Sequence, residues 1–127
     1  MSPPEQARRI LIVEDDRDLR EALTETLRDE GYEVAGAAHG REALELLRGS
    51  FRRPALILLD LTMPVMNGWQ FRSHQRRDPE ISGIPVVVVS ADPLAVLATH
   101  TGVAAVLPKP TDPEKLLEAI GRHHAKD

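Results

Sequence analysis

Four sets of polar residues stand where apolar runs end. Glu14, Asp15 and Asp16 follow the short run 10–13; Asp60 closes the unbroken run 55–59; Ser90 follows four consecutive valines at 86–89; and Lys109 lies just past the run 104–107. If these ends meet in space, Asp60 joins the acids of the first set, and their carboxylates repel one another and lose solvation unless a proton or a cation intervenes. Mg²⁺ suits such a set better than Zn²⁺, because it takes oxygen ligands and keeps several waters. An aspartate can also be a nucleophile that forms an acyl phosphate when a cation offsets the incoming charge. Asp60 is the candidate. Lys109 offers a compact positive charge, and Ser90 a hydroxyl donor, for the oxygens of a transferred phosphoryl group.

The elements that must position these residues alternate along the chain. After 10–13, Leu19, Ala22, Leu23, Thr26 and Leu27 recur at helical spacing until Gly31, a suitable stop. A strand is expected over 32–37 and a helix over 41–48, with Ala43, Leu44 and Leu47 inward and Gly49 at its end. Residues 55–59 read as a strand buried on both faces. The helix expected over 69–77 has only Trp69 and Phe71 as an evident apolar face. The strand 86–89 precedes a helix started by Asp92-Pro93, with Leu94, Leu97 and Ala98 as its expected face. A fifth strand over 104–107 and a final helix carrying Leu116, Leu117 and Ile120 complete the set, with a capping box predicted over Thr111-Asp112-Pro113-Glu114. Five strands alternating with five helices predict an α/β fold, a doubly wound parallel sheet with ligands bound beyond the carboxyl ends of its strands.

The whole chain supports one domain. Its 127 residues are 42% hydrophobic and only 3% aromatic, so the core must be aliphatic. A formal charge of −4 and the lack of a basic run argue against direct nucleic-acid binding. There is no cysteine for a disulfide or thiolate site. No apolar stretch reaches membrane-spanning length, so the expectation is a cytoplasmic protein without membrane contact. The expected organisation is a flexible segment over 1–8, the domain over 9–124 and a tail over 125–127.

Ile10-Leu11-Ile12-Val13-Glu14-Asp15-Asp16, then Leu58-Leu59-Asp60-Leu61-Thr62-Met63-Pro64 with Gly68, then Val89-Ser90-Ala91, then Lys109-Pro110, resemble the response-regulator receiver family over residues 9 to about 122. The fragments are weak singly and strong as an ordered set. The resemblance implies a flavodoxin-like (βα)5 fold of strand order 2-1-3-4-5. It implies that Asp60 is the phosphoacceptor, assisted by Lys109 and Ser90. Mg²⁺ would be held by Asp15, Asp60, the Thr62 main-chain carbonyl and, through water, Glu14. It further implies a cis Lys109-Pro110 bond, a sensor histidine kinase or hybrid kinase as phosphodonor, and an unidentified downstream protein. On this reading the chain is a signalling switch with at most self-phosphorylation and self-dephosphorylation activity. It is expected to be a single-domain regulator or a receiver cut from a larger protein, without an attached effector.

Three departures bear on output. Val106 stands three residues before Lys109, where the family carries a switch aromatic; Thr111 stands where many members carry Phe; and the interval from Ser90 to Lys109 is about one helical turn shorter than is common. They motivate an alternative, a receiver-like interaction module that does not switch. An aspartyl-phosphate hydrolase of the haloacid-dehalogenase type is disfavoured, because Thr62 occupies the place of its second acid. Asp16 is read as a helix cap. His39, His74, His100, His123 and His124 lack the spacing of a metal site and receive no chemical role.

Overall fold

The computed structural model describes residues 8–125. The expected flexible segment, apart from Arg8, and the expected tail, apart from Ala125, lie outside the described residues. The chain runs β1 (Arg9–Val13), α1 (Arg17–Asp29), β2 (Glu33–Ala37), α2 (Gly40–Arg48), β3 (Leu56–Leu59), α3 (Gly68–Arg77), β4 (Val86–Ser90), a 3-10 helix (Pro93–Thr101), β5 (Ala105–Pro108) and α4 (Pro113–His123). All strand pairs are parallel, in the order β2-β1-β3-β4-β5. The expected alternation and strand order are those observed.

The central strands divide their side chains by parity. Ile10, Ile12, Leu56, Leu58, Val87 and Val89 enter one core with Leu27 of α1 and Leu116 and Ile120 of α4. Leu11, Val13, Ile57, Leu59, Val86 and Val88 enter the opposite core with Leu44 and Leu47 of α2 and Phe71 of α3. Successive side chains of a strand point to opposite faces, so a strand covered by helices on both sides must be apolar throughout. Removing a fully buried Leu or Ile from either core to Ala would cost about 2–5 kcal/mol.

Local chemistry sets the helix ends. Asp16 accepts from the Leu19 N–H, which bears out its reading as a cap. Past α1, Gly31 adopts φ 93°, a left-handed conformation suited to glycine, and its N–H donates to the Arg28 carbonyl. His39 caps α2 through its ring, accepting from Glu42 N–H at 3.3 Å. Asn67 and Gln70 form a reciprocal capping box at the start of α3. The buried face of α3 is Phe71, Arg72 and Gln75, so a sequence pattern built on apolar residues sees little of it. The predicted box at 111–114 forms differently. Asp112 caps α4 by accepting from Glu114 N–H at 2.9 Å, while the Thr111 hydroxyl donates back to the Pro108 carbonyl.

The fourth helical segment departs furthest from expectation. Asp92 caps it and Pro93 opens it as predicted, but it is a 3-10 helix throughout and ends at Gly102 in the left-handed region. Its buried residues are Ala95 and Ala98, whereas Leu94 and Leu97 of the predicted face are exposed. A three-residue period matches the three residues per turn of a 3-10 helix. The hydroxyls of Thr99 and Thr101 donate to the carbonyls three residues earlier, at 2.8 and 2.7 Å, and β-branched Val96, Thr99 and Thr101 favour an α-helix weakly.

Candidate functional site

The parallel sheet places every strand's carboxyl end on one edge. There β1 hands the chain to Glu14 and β3 hands it to Asp60, and the Asp60 N–H donates to the Val13 carbonyl at 2.9 Å. Adjacent ends of β1 and β3 therefore set the two acids side by side. Glu14 and Asp60 are buried and Asp15 is exposed; one carboxylate oxygen from each lies within 4.8 Å of the others. Ser90 at the end of β4 is also buried, and its Oγ accepts from Asp92 N–H at 3.1 Å. Lys109 reaches in from beyond β5, where its N–H donates to the Ser90 carbonyl, and the Lys109-Pro110 bond is cis.

Glycine is required once in the loop that frames Asp60. A Cβ on Gly68 would stand 2.5 Å from the Asp60 carbonyl oxygen and 2.7 Å from the Leu61 Cα. Helix α3 can start against the back of Asp60 only without a side chain there. Thr62, two residues past Asp60, donates its N–H to Asp60 Oδ1 at 3.3 Å. Val65, in the same loop, is held at φ 65°, a conformation that costs a β-branched residue dearly.

Charge in the cleft is shared among few groups. The Lys109 ammonium lies 2.5 Å from Glu14 Oε1 and 3.5 Å from Asp60 Oδ2. Burial pushes the Glu14 carboxyl up from 4.5 to about 7, and the charge of Asp60 adds to it; the bonds from Lys109 and from the Asp16 N–H oppose the rise without cancelling it. One ammonium serves two carboxylates, so neither is fully compensated. Burial works to lower the Lys109 ammonium as well, but the bond to Glu14 and the charges of Asp60 and Glu14 outweigh it and push it up. The result is a cleft of about 600 Å³ lined by Asp15, Asp60, Thr62, Ser90 and Lys109, among others. Its donors are hard oxygens, a set that fits Mg²⁺.

All the residues expected at this edge are thus gathered there. One that sequence reasoning missed is Arg20, whose guanidinium donates to the Glu14 carbonyl at 2.6 Å and braces the turn from below. Its position four residues past the cap Asp16 was the sole signal. Among the five histidines, His39 has a structural role, as a cap. Val106 is half-buried and pairs with Val88 across the sheet.

This arrangement of fold and acidic edge coincides with a known family. The response regulator receiver domain family matches residues 10–121, and the chain belongs to it. It is 42% identical over 112 residues to a response regulator receiver protein of Anaeromyxobacter sp. (strain Fw109-5), covering 87% of this chain and 46% of that protein. It is 39% identical over 115 residues to the DNA-binding response regulator MtrA of Mycobacterium tuberculosis, covering 88% of this chain and 48% of that protein. The chain spans about half the length of these curated relatives. Among solved structures it resembles a response regulator receiver protein from Pseudomonas putida, with TM-score 0.85, 31% identity and coverage of 96% and 98% of the two chains. It also resembles the chemotaxis protein CheY4 of Vibrio cholerae, with TM-score 0.82, 33% identity and coverage of 91% and 97%. Receiver domains of this family are phosphoryl-accepting signalling modules rather than conventional enzymes.

Proposed function

We propose that residues 9–124 form a phosphorylation switch in which Asp60 accepts a phosphoryl group from a sensor histidine kinase or hybrid kinase. The observation that carries this reading is the meeting of Glu14, Asp15 and Asp60 within 4.8 Å, beside a lysine 3.5 Å from Asp60. Asp15, Asp60, the Thr62 carbonyl and, through water, Glu14 would hold Mg²⁺, which supplies charge neutralisation to the phosphoryl group when bound. An Asp60 carboxylate oxygen forms the new P–O bond while the P–N bond of the phosphohistidine breaks and its electron pair leaves with the imidazole. Lys109 and Ser90 receive phosphoryl oxygens as charge and hydroxyl donors. Attack by water on the acyl phosphate returns Asp60, so self-phosphorylation from small phosphodonors and self-dephosphorylation are the extent of its chemistry.

The product changes binding to a downstream protein. Among the described residues no helix is long and apolar enough to cross a membrane, and the net charge of −4 disfavours nucleic acid; we therefore propose a cytoplasmic protein acting through protein partners. The name of MtrA describes MtrA, and its DNA binding is not carried over.

Acetyl phosphate with Mg²⁺ should yield a phosphoprotein whose label is lost on hydroxylamine treatment and never forms on Asp60→Asn. Persistence of the label on Asp60→Asn would remove the assignment. A second reading, a module that binds partners without switching, is favoured by Val106 and by the 3-10 segment in place of an α-helix. It predicts partner affinity that is the same with and without beryllofluoride.

A further inference from the structure

Helix α3 carries three arginines and no acid, in a chain of net charge −4. Arg72 is 5% exposed, yet its guanidinium bonds only uncharged acceptors. Nη1 donates to Gln75 Oε1 at 2.6 Å, Nε donates to the Thr101 hydroxyl at 3.3 Å, and Nη2 donates to the Thr101 carbonyl. A guanidinium has five N–H donors and keeps its proton, so two remain. Among the described residues, none of Arg72, Arg76 and Arg77 forms an ion pair. A buried cation without a counter-ion is costly. Burial and then the neighbouring Arg76 push the Arg72 guanidinium down from its ordinary value, the direction expected of a cation short of negative partners.

Beside it lies a cavity of about 380 Å³, lined by Trp69, Arg72, Ser73, Arg76, Arg77 and Thr101. It shares no lining residue with the acidic cleft. No acid lines it, and its volume lies in the range of small-molecule pockets. We propose that this cavity is a second site, which binds the phosphate or carboxylate group of a small anionic ligand. The Arg72, Arg76 and Arg77 forks match such oxyanions in shape and charge, and the Ser73 hydroxyl adds a donor. The concavity, whose three arginines all come from α3, favours a small ligand over a nucleic-acid strand. Because Arg72 already joins α3 to Thr101, occupancy at its guanidinium strengthens the attachment of the 3-10 segment. The inference stands independently of phosphoryl acceptance at Asp60.

Trp69 is the chain's single tryptophan, so its fluorescence reports on the cavity. The Mg²⁺-free full chain is titrated with inorganic pyrophosphate, ADP and citrate at matched ionic strength. A saturable change with pyrophosphate or ADP assigns a phosphate ligand, and with citrate a carboxylate one. Arg76→Gln/Arg77→Gln, on exposed positions, should raise Kd at least tenfold. Arg52→Gln/Arg53→Gln, which removes the same charge elsewhere, should change it less than twofold. Arg72→Lys, which keeps the charge and loses the fork, should also weaken binding; if it does not fold, the exposed double variant still decides. Absence of saturation by all three anions up to about millimolar concentration, or equal weakening by the two double variants, overturns the proposal.

Discussion

Two cations, one half-buried and one buried, sit on opposite terms in this domain. Lys109 is shared between Glu14 and Asp60, at the edge where the strands end. Arg72 is deeper, on α3, where its guanidinium bonds only a threonine and a glutamine beside the cavity. The first cation has an excess of negative partners and the second has none. Compensation is therefore incomplete at both places, in opposite senses, and each sense matches the ligand proposed for it: a cation in the cleft, an anion in the α3 cavity.

The largest effect expected from this contrast is on Lys109. Lys109→Met leaves Glu14 and Asp60 facing each other without their ammonium, and breaking such a buried pair costs about 3–5 kcal/mol, less the discount due to the partial exposure of the lysine. Urea unfolding should show this loss in chelator, and millimolar Mg²⁺ should recover much of it; a loss indifferent to Mg²⁺ would break the comparison. Arg72→Met should cost about 1–3 kcal/mol, from Gln75 and Thr101 acceptors left unpaired, and here Mg²⁺ should make no difference.

Next in size is a pH effect at the cleft. Glu14 titrates near 7 in the folded, metal-free protein against 4.5 unfolded, so folding takes up a proton between those values. Its stabilising contribution is fully present below 4.5 and is lost as the pH rises through about 7. The same proton competes with a cation. Mg²⁺ affinity, measured by calorimetry, should rise as the pH climbs through 7, and Glu14→Gln should flatten that dependence. The smallest effect lies between the two regions. Val65→Gly relieves a β-branched residue at φ 65° and should raise stability by about 1 kcal/mol, without altering the phosphorylation rate.

The edge chemistry was legible in the sequence because the chemical residues stand at or just past the ends of apolar runs, and parallel strands end together. Asp60, Ser90 and Lys109 needed only that rule. The helix α3 was expected from Trp69 and Phe71, but its capping box at Asn67 and Gln70 was not read, nor was its buried face, because Arg72 and Gln75 look like surface residues until their partners at Thr101, Ile81 and Ile84 are known. The 3-10 segment misled for a related reason. Of the expected face of Leu94, Leu97 and Ala98, only Ala98 is buried, joined by Ala95, while both leucines are exposed. Asp112 rather than Thr111 caps α4, since the Thr111 hydroxyl is already used by Pro108.

Ala95 and Ala98 are the two buried residues of the segment Pro93–Thr101. Each adds one methyl group to the core, worth about 0.8 kcal/mol, so apart from the Arg72 bonds at its Thr101 end the segment is fastened by little more than thermal energy at each apolar contact. Amide exchange should find it the earliest part of the upper sheet edge to open. A stretch so lightly held can drift in sequence without endangering the fold, which makes it the cheapest place for a lineage to rewrite what the domain touches.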